Sequence, residues 1–311
     1  MYSAAVSLIR YPQARVVFIN YSAESFARVK GTIESEIGGS QEGGIFIISD
    51  IGLGADDNLI EALRECFILA RSNNWSIYWF DHHPWPRNAV EGIAPLIELV
   101  LDKTGAKCTT ELIHEKFLFG DPVAALLASI ANTMDYFKKD QYLTPVSELI
   151  RYYHNFPDHQ DRLFDLAKKS SRGTLWDVDM QREYKVYSHI HDAAKKQAFK
   201  TIRIRDINGV KVAFVQSSPF IQNSLFSEEV FNKTGVDLVM LYSSDGRVSI
   251  RRNNNKISCS DIASNLPCGG GHAFAAGGTF RSDPNDVESI LSELAEAVLM
   301  TLQKTDAASN R

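Results

Sequence analysis

The chain has 311 residues, with 33 Lys+Arg against 38 Asp+Glu and a formal net charge of −5. Hydrophobic residues make up 44% and charged residues 23%, the balance of a globular chain, and the length exceeds what a single core usually reaches, which implies two domains. No run of about 18 uncharged apolar residues reads as a membrane span, no basic and apolar leader reads as a secretion signal, and the acidic balance disfavours bulk coating of long nucleic acid.

The residues 1–10 read as a helix, with Met1, Ala4, Ala5, Leu8 and Ile9 on one face. Tyr11-Pro12 breaks it, and Arg15–Asn20 reads as a buried strand. Ser22 can cap the next helix, whose apolar face carries Phe26, Val29, Ile33 and Ile37. A glycine-rich loop, 38–44, leads into the strand Ile45–Asp50. A helix with Leu59, Leu63, Cys66, Phe67 and Ala70 at helical spacing ends near Asn73-Asn74. The strand Ser76–Phe80 then stops at Asp81-His82-His83-Pro84. Apolar strands separated by amphipathic helices predict a parallel sheet covered by helices, with ligands at the carboxyl ends of its strands. An apolar helix is expected over Pro122–Asp135.

From 144 to 199 the chain is helical, polar and aromatic-rich, and reads as a connector. Short strands follow at Lys200–Arg205, Val210–Gln216, Val236–Tyr242 and Val248–Arg251. Asn208-Gly209 and Asp245-Gly246 sit between strand pairs as hairpin signals. A glycine-rich loop, Pro267–His272, a strand ending at Phe280 and an amphipathic helix over about Asp283–Leu302 complete the chain. The expected fold is α/β: a parallel sheet with flanking helices over 1–143, the helical connector 144–199, and a smaller α+β domain with a mixed sheet over 200–311. The four cysteines, Cys66, Cys108, Cys259 and Cys268, form no C-x-x-C pair and read as the reduced thiols of a cytoplasmic protein.

Three places carry chemistry. Asp50 and Asp81-His82-His83 both follow strand ends, and carboxylate with imidazole suits divalent ions of intermediate hardness such as Mn²⁺. Three consecutive polar groups beside a buried strand are costly unless paired. Gly269-Gly270-Gly271-His272 allows backbone N–H groups to gather around an anion. Arg251 offers a bidentate phosphate contact. Taken singly, Asp50 and Asp135 read as loop or capping acids, and Arg251-Arg252 as a solvated strand end. Trp85, just past Asp-His-His-Pro, is the tryptophan most suited to touch a substrate. His114, His154, His159, His189 and His191 have no partner spacing of interest.

Together, Phe80-Asp-His-His-Pro84, the acid after a strand at Asp50, Ser249-Ile-Arg251 and Pro267-Cys-Gly-Gly-Gly-His-Ala-Phe-Ala-Ala-Gly277 resemble the DHH phosphoesterases with a DHH-associated C-terminal domain, the superfamily of RecJ exonucleases and nano-RNases. The resemblance implies a Mn²⁺- or Mg²⁺-dependent phosphoesterase, ideally with two ions. Its substrates would be nucleotides, short oligonucleotides or single-stranded ends, with no membrane partner and with a homodimer left open. It implies metal-site roles for Asp50, Asp81, His82 and Asp135, a catalytic role for His83, and phosphate or substrate contacts for Arg251, Gly269, Gly270, Gly271 and His272. The family's first motif, His-x-x-x-Asp-x-Asp-Gly, has no counterpart here, and the helix 1–10 resembles the one that follows it. The expectation is therefore a chain that starts just after that motif, holds one ion rather than two, and is weakly active. The alternative is a catalytically impaired protein of the same fold that binds and senses nucleotides.

Overall fold

A computed structural model describes residues 1–19, 23–39, 42–102, 104–136 and 144–309; the side chains of 23–25, 144 and 305–309 are outside the description. The chain divides into two compact units, Met1–Tyr184 and Lys185–Arg311. The division falls inside a helix of the expected connector. No helix among the described residues is long and apolar enough to cross a membrane.

The first unit begins with α1 (Tyr2–Arg10), α2 (Ala23–Gly39), β1 (Gly44–Ser49), α3 (Asp57–Ser72), β2 (Trp75–Asp81), α4 (Arg87–Ile93) and β3 (Glu98–Leu101). It continues with α5 (Thr109–Phe117), α6 (Pro122–Asp135), α7 (Thr144–Tyr153) and α8 (His159–Ser171). The helix α9 (Val178–Lys200) runs across the division. The sheet is parallel in the order β1-β2-β3, with Phe46 opposite Ile77 and Phe80 opposite Val100.

Side-chain alternation assigns the two faces of β2. Ile77 and Trp79 join a core with Leu63, Phe67 and Ala70 of α3 and Ile33 and Ile37 of α2. Tyr78 and Phe80 face the other way, each edge-on to Phe117 of α5 at 5.1 and 5.5 Å between centroids. A strand flanked by helices on both faces needs apolar residues at every position, and Trp-Ser-Ile-Tyr-Trp-Phe nearly supplies them. The turn after α3 closes with Asn74 in the left-handed region at φ 61°, where asparagine is tolerated.

The expected strand at Arg15–Asn20 is a correction. Arg15–Ile19 form no strand, and residue 20, like the cap proposed at Ser22, lies outside the described residues. The physical reason is visible at Phe18. Its N–H donates to Gln160 Oε1 at 2.8 Å and its carbonyl accepts from Gln160 Nε2 at 2.8 Å. A side-chain amide on α8 takes the place of a neighbouring strand.

The second unit contains β4 (Arg203–Ile207), β5 (Val210–Gln216), α10 (Asn223–Thr234), β6 (Leu238–Tyr242) and β7 (Arg247–Arg252). After them come α11 (Cys259–Ala263), β8 (Gly270–Gly271), β9 (Ala275–Thr279) and α12 (Val287–Ser309). Its six strands run in the order β4-β5-β6-β7-β9-β8. Only β5 and β6 pair in parallel, joined by α10; the remaining pairs are antiparallel. One face packs Val212, Phe214, Met240 and Ile250 against Ile290 and Leu294 of α12. The other packs Ala213, Val215, Val239 and Leu241 against Phe226 and Val230 of α10. Asn208 and Gly209, at φ 48° and 84°, make the β4–β5 turn with both central residues left-handed, the geometry that matches strand twist.

Candidate functional site

In the first unit, Asp50, Asp81, His82 and His83 offer ligand atoms within 4.8 Å of one another. It is the one such cluster of three or more His, Cys, Asp and Glu side chains among the described residues. Parallel strands create it: β1 and β2 end side by side, and Asp50 N–H donates to Phe80 O at 3.1 Å, one step past the paired register. Asp50 itself turns out of the strand at φ 62°. A left-handed aspartate stores strain, and such strain gathers where a side chain must be aimed.

The buried group in the cluster is Asp81, fully shielded from solvent. A lone buried carboxylate is costly, and here both oxygens are satisfied. His83 Nδ1 lies 2.7 Å from Oδ1, and Trp85 Nε1 donates to Oδ2 at 2.7 Å. The hydrogen bond to Asp81 pushes the His83 imidazole upward against the opposing effect of burial, with the Asp81, Asp50 and Asp135 charges adding to the rise. Gly52 is part of the same packing. A Cβ there would lie 3.1 Å from Asp81 Oδ2 and 3.1 Å from His83 Cβ.

His82 is fixed through Thr109, the first residue of α5. Thr109 Oγ1 donates to Asp50 Oδ1 at 3.2 Å and lies 3.0 Å from His82 Nδ1. A hydroxyl has one proton, so with Asp50 as its acceptor it must accept from His82 Nδ1–H. His82 therefore carries its proton on Nδ1 and leaves Nε2 as a lone-pair donor, the second-sphere arrangement that suits a metal-binding imidazole, while His83 turns Nδ1 to Asp81. Their rings lie 4.3 Å apart and nearly parallel.

Asp135, the last residue of α6, stands outside the four-residue cluster. Its residue surface is open to solvent, yet its carboxyl end is crowded. That crowding, and then the Asp50 charge, push it up to about 6, against the pull of His82 and His83. It is thus an electrostatic neighbour of the cluster. Sequence reading pointed to Asp50, Asp81, His82 and His83 but overlooked Thr109 and Gly52. No local pattern announces Thr109, which is 59 residues from Asp50 in the sequence. Trp85, the tryptophan expected to suit a substrate contact, is half-buried, bonded to Asp81 and edge-on to Trp79 at 4.8 Å.

In the second unit the expected phosphate-binding residues lie on β7 and around β8, with β9 between the two strands. Arg251 of β7 sits opposite Ala275 of β9, which also pairs with β8. Arg251 Nη1 donates to the carbonyls of Ile250 at 2.8 Å and Ala276 at 3.4 Å. It makes no ion pair among the described residues, and burial lowers its affinity for its proton. A half-buried guanidinium without a carboxylate is a ready acceptor for an anion.

The three glycines have different reasons. A Cβ on Gly269 would lie 1.7 Å from Ala263 O, and one on Gly271, at φ 136°, would lie 2.6 Å from Ala276 Cα. A Cβ on Gly270 would meet nothing within 4 Å. Gly269 N–H is already bonded to Leu266 O and His272 N–H to Ala275 O. The backbone available to an anion is therefore the free edge of β8, the outermost strand. His272 is exposed beside it.

Residues 223–300 match the DHHA1 domain family. Over 96% of this chain and 84% of the other, the structure is similar to the DHH domain of a member of the s1p family of ribosomal proteins, with TM-score 0.63 and 15% identity. The chain's fold is that of this DHH-domain structure. It is also similar to a pGpG-specific phosphodiesterase from Vibrio cholerae, at TM-score 0.50 and 10% identity, over 83% of this chain and 99% of that one. No curated protein matches it in sequence. The DHHA1 match spans α10, β6–β9, α11 and the greater part of α12.

Proposed function

We propose that the chain is a divalent-metal-dependent phosphohydrolase of nucleotides and short single-stranded nucleic acids, with Mn²⁺ or Mg²⁺ as its ion. The observation that carries this reading is the convergence of Asp50, His82 and His83 around Asp81. One carboxylate and two imidazoles make a donor set that fits one such ion. Asp135, a charge neighbour pushed up to about 6, is the further acid within electrostatic reach. When bound, the ion supplies a water acidic enough to attack phosphorus and a positive charge against the phosphoryl oxygens.

The chain's own residues do the positioning. Asp81, with both oxygens engaged by His83 and Trp85, holds the His83 ring in place and serves as a positioning residue. Thr109 ties Asp50 and His82 to a common hydroxyl. In the DHHA1 domain, Arg251 takes a phosphate of the substrate and the free edge of β8 contributes N–H donors. The fold is one in which a dinucleotide phosphodiesterase is found, which is compatible with a small nucleotide substrate.

The test is hydrolysis of bis-p-nitrophenyl phosphate, pAp, pApA, short RNA and single-stranded DNA with added Mn²⁺. The reading expects turnover that chelator abolishes, and loss of both turnover and bound Mn in Asp50→Ala and His82→Ala with unchanged thermal unfolding. Turnover that survives chelation would sink it. Nucleotide binding without hydrolysis of any of these substrates would favour the sensing protein.

A further inference from the structure

Phe274 is 62% exposed, unusual for a large apolar side chain held so firmly. It occupies a two-residue turn closed by His272 N–H to Ala275 O at 2.8 Å and Ala275 N–H to His272 O at 3.2 Å. The turn is pinned to the start of α11 by Cys259 N–H donating to Ala273 O at 2.8 Å. Three backbone bonds thus present a ring that the fold leaves in water. The ring is parallel to His272 within 6°, with centroids 5.4 Å apart. At that ordinary contact distance no third ring fits between them, so one face of Phe274 is taken and the other is open.

The surroundings say what suits the open face. Its chain neighbours Ala273 and Ala275, and the glycines of β8, add little of the apolar area that the core of a protein-docking patch has. Next to Phe274 in sequence, Ala275 stands opposite Arg251, the guanidinium without an ion pair. A cation for phosphate and a flat apolar face, one residue apart in register, match the two chemically distinct ends of a nucleotide. Every base offers a π-face, so stacking recognises the base without reading its identity.

We propose that Phe274 is a stacking platform for the nucleobase, and that the DHHA1 domain thereby selects nucleotides over base-free phosphate esters. The inference rests on the nucleotide substrate proposed above and adds the residue that recognises the base.

Calorimetric titration of the full chain with AMP and with ribose 5-phosphate, in Mn²⁺, tests it, because the two share ribose and 5-phosphate and the second carries a hydroxyl in place of the base. The wild type is expected to bind AMP roughly 5- to 150-fold more tightly, the worth of one stacked base. Phe274→Ala brings AMP down to the affinity of ribose 5-phosphate, and Phe274→Trp keeps the preference. Equal affinities in the wild type overturn the proposal. So does a Phe274→Ala that weakens both ligands alike, which marks a structural role. A Phe274→Ala that keeps the preference but turns a dimer into a monomer overturns it too, and makes the ring a contact between copies. If bis-p-nitrophenyl phosphate is hydrolysed while neither ligand binds, this inference falls and the hydrolase reading stands. If base preference depends on Phe274 but no ester is cleaved, the hydrolase reading falls and this one stands.

Discussion

The acid–histidine cluster after β1 and β2 and the glycine loop of the DHHA1 domain are built in opposite ways. The first is made of side chains, and each is held by a hydrogen bond to another. The second is made of backbone, with no room for a Cβ at Gly269 and Gly271. A side-chain site fails when an atom is removed; a backbone site fails when an atom is added. That difference orders the consequences of mutation.

The largest effect is expected at Gly269. Its Cβ would overlap the carbonyl of Ala263, and neither partner is a flexible side-chain end. Overpacking ordinarily costs about 1–3 kcal/mol, and a backbone collision belongs at or beyond the upper end. Gly269→Ala should therefore destabilise the DHHA1 domain by about 3 kcal/mol, read as a lower unfolding midpoint in urea. Gly270→Ala should leave that midpoint within about 0.5 kcal/mol, the range of a benign surface change. It should nonetheless weaken phosphate binding, because the added methyl lies at the edge offered to the anion. Equal destabilisation by the two variants would break the backbone half of the comparison.

The side-chain half is probed at Asp81. Asp81→Asn keeps the shape but cannot accept from both His83 Nδ1–H and Trp85 Nε1–H as the carboxylate does. Losing a group that orients a metal-bound imidazole typically costs 10–100-fold in affinity. Mn²⁺ titration should show that loss, with turnover following the metal. Unchanged affinity would mean that the carboxylate only fills space. Thr109→Val is the milder case. It deletes one hydroxyl shared by Asp50 and His82, and a bond of this kind contributes about 1 kcal/mol, or roughly fivefold in Mn²⁺ affinity.

How much of this was legible follows from the same contrast. Asp50 and Asp81-His82-His83 could be read because their placement depends on the strand ends of β1 and β2, and continuous apolar runs announce those strands. Thr109 could not, since it lies 59 residues from Asp50 and reaches it only when α5 is in place. Trp85 stands out in the sequence because it follows Asp-His-His-Pro; that its indole N–H donates to the buried acid four residues before it is not announced there. In the second unit, β5 is legible with its bounds because Asn208-Gly209 fixes its start. The helix α10 between β5 and β6 was not anticipated: only Phe226, Ser227 and Val230 are buried on it, too weak a stripe to announce a helix. The parallel pairing it serves demands a crossover, but pairing direction is absent from the local pattern. β3 and β8, of four and two residues, are too short to show a period, and two glycines have no side chain to show one with.

The smallest effect lies where the DHHA1 domain does rely on a side chain, at the β6–β7 turn. Asp245 accepts from Arg247 Nε at 2.6 Å and from the Ser243 hydroxyl and Arg247 N–H, which together hold it down to about 2. Its folded value lies below the ordinary 3.8, so the carboxylate favours the folded turn above pH 3.8. That contribution fades as pH falls from 3.8 toward 2. Both partners of the pair are substantially exposed, which limits it to about 0.5 kcal/mol. Amide exchange at Gly246, whose N–H donates to Ser243 O, reports the turn locally. Protection there should be flat above pH 4 after correction for intrinsic rates, fall by about twofold below pH 3, and be pH-independent in Asp245→Asn. If Gly270 and Gly271 lose protection over the same range, the glycine loop depends on a titrating side chain after all, and the division between the two kinds of site is less sharp than the backbone geometry makes it.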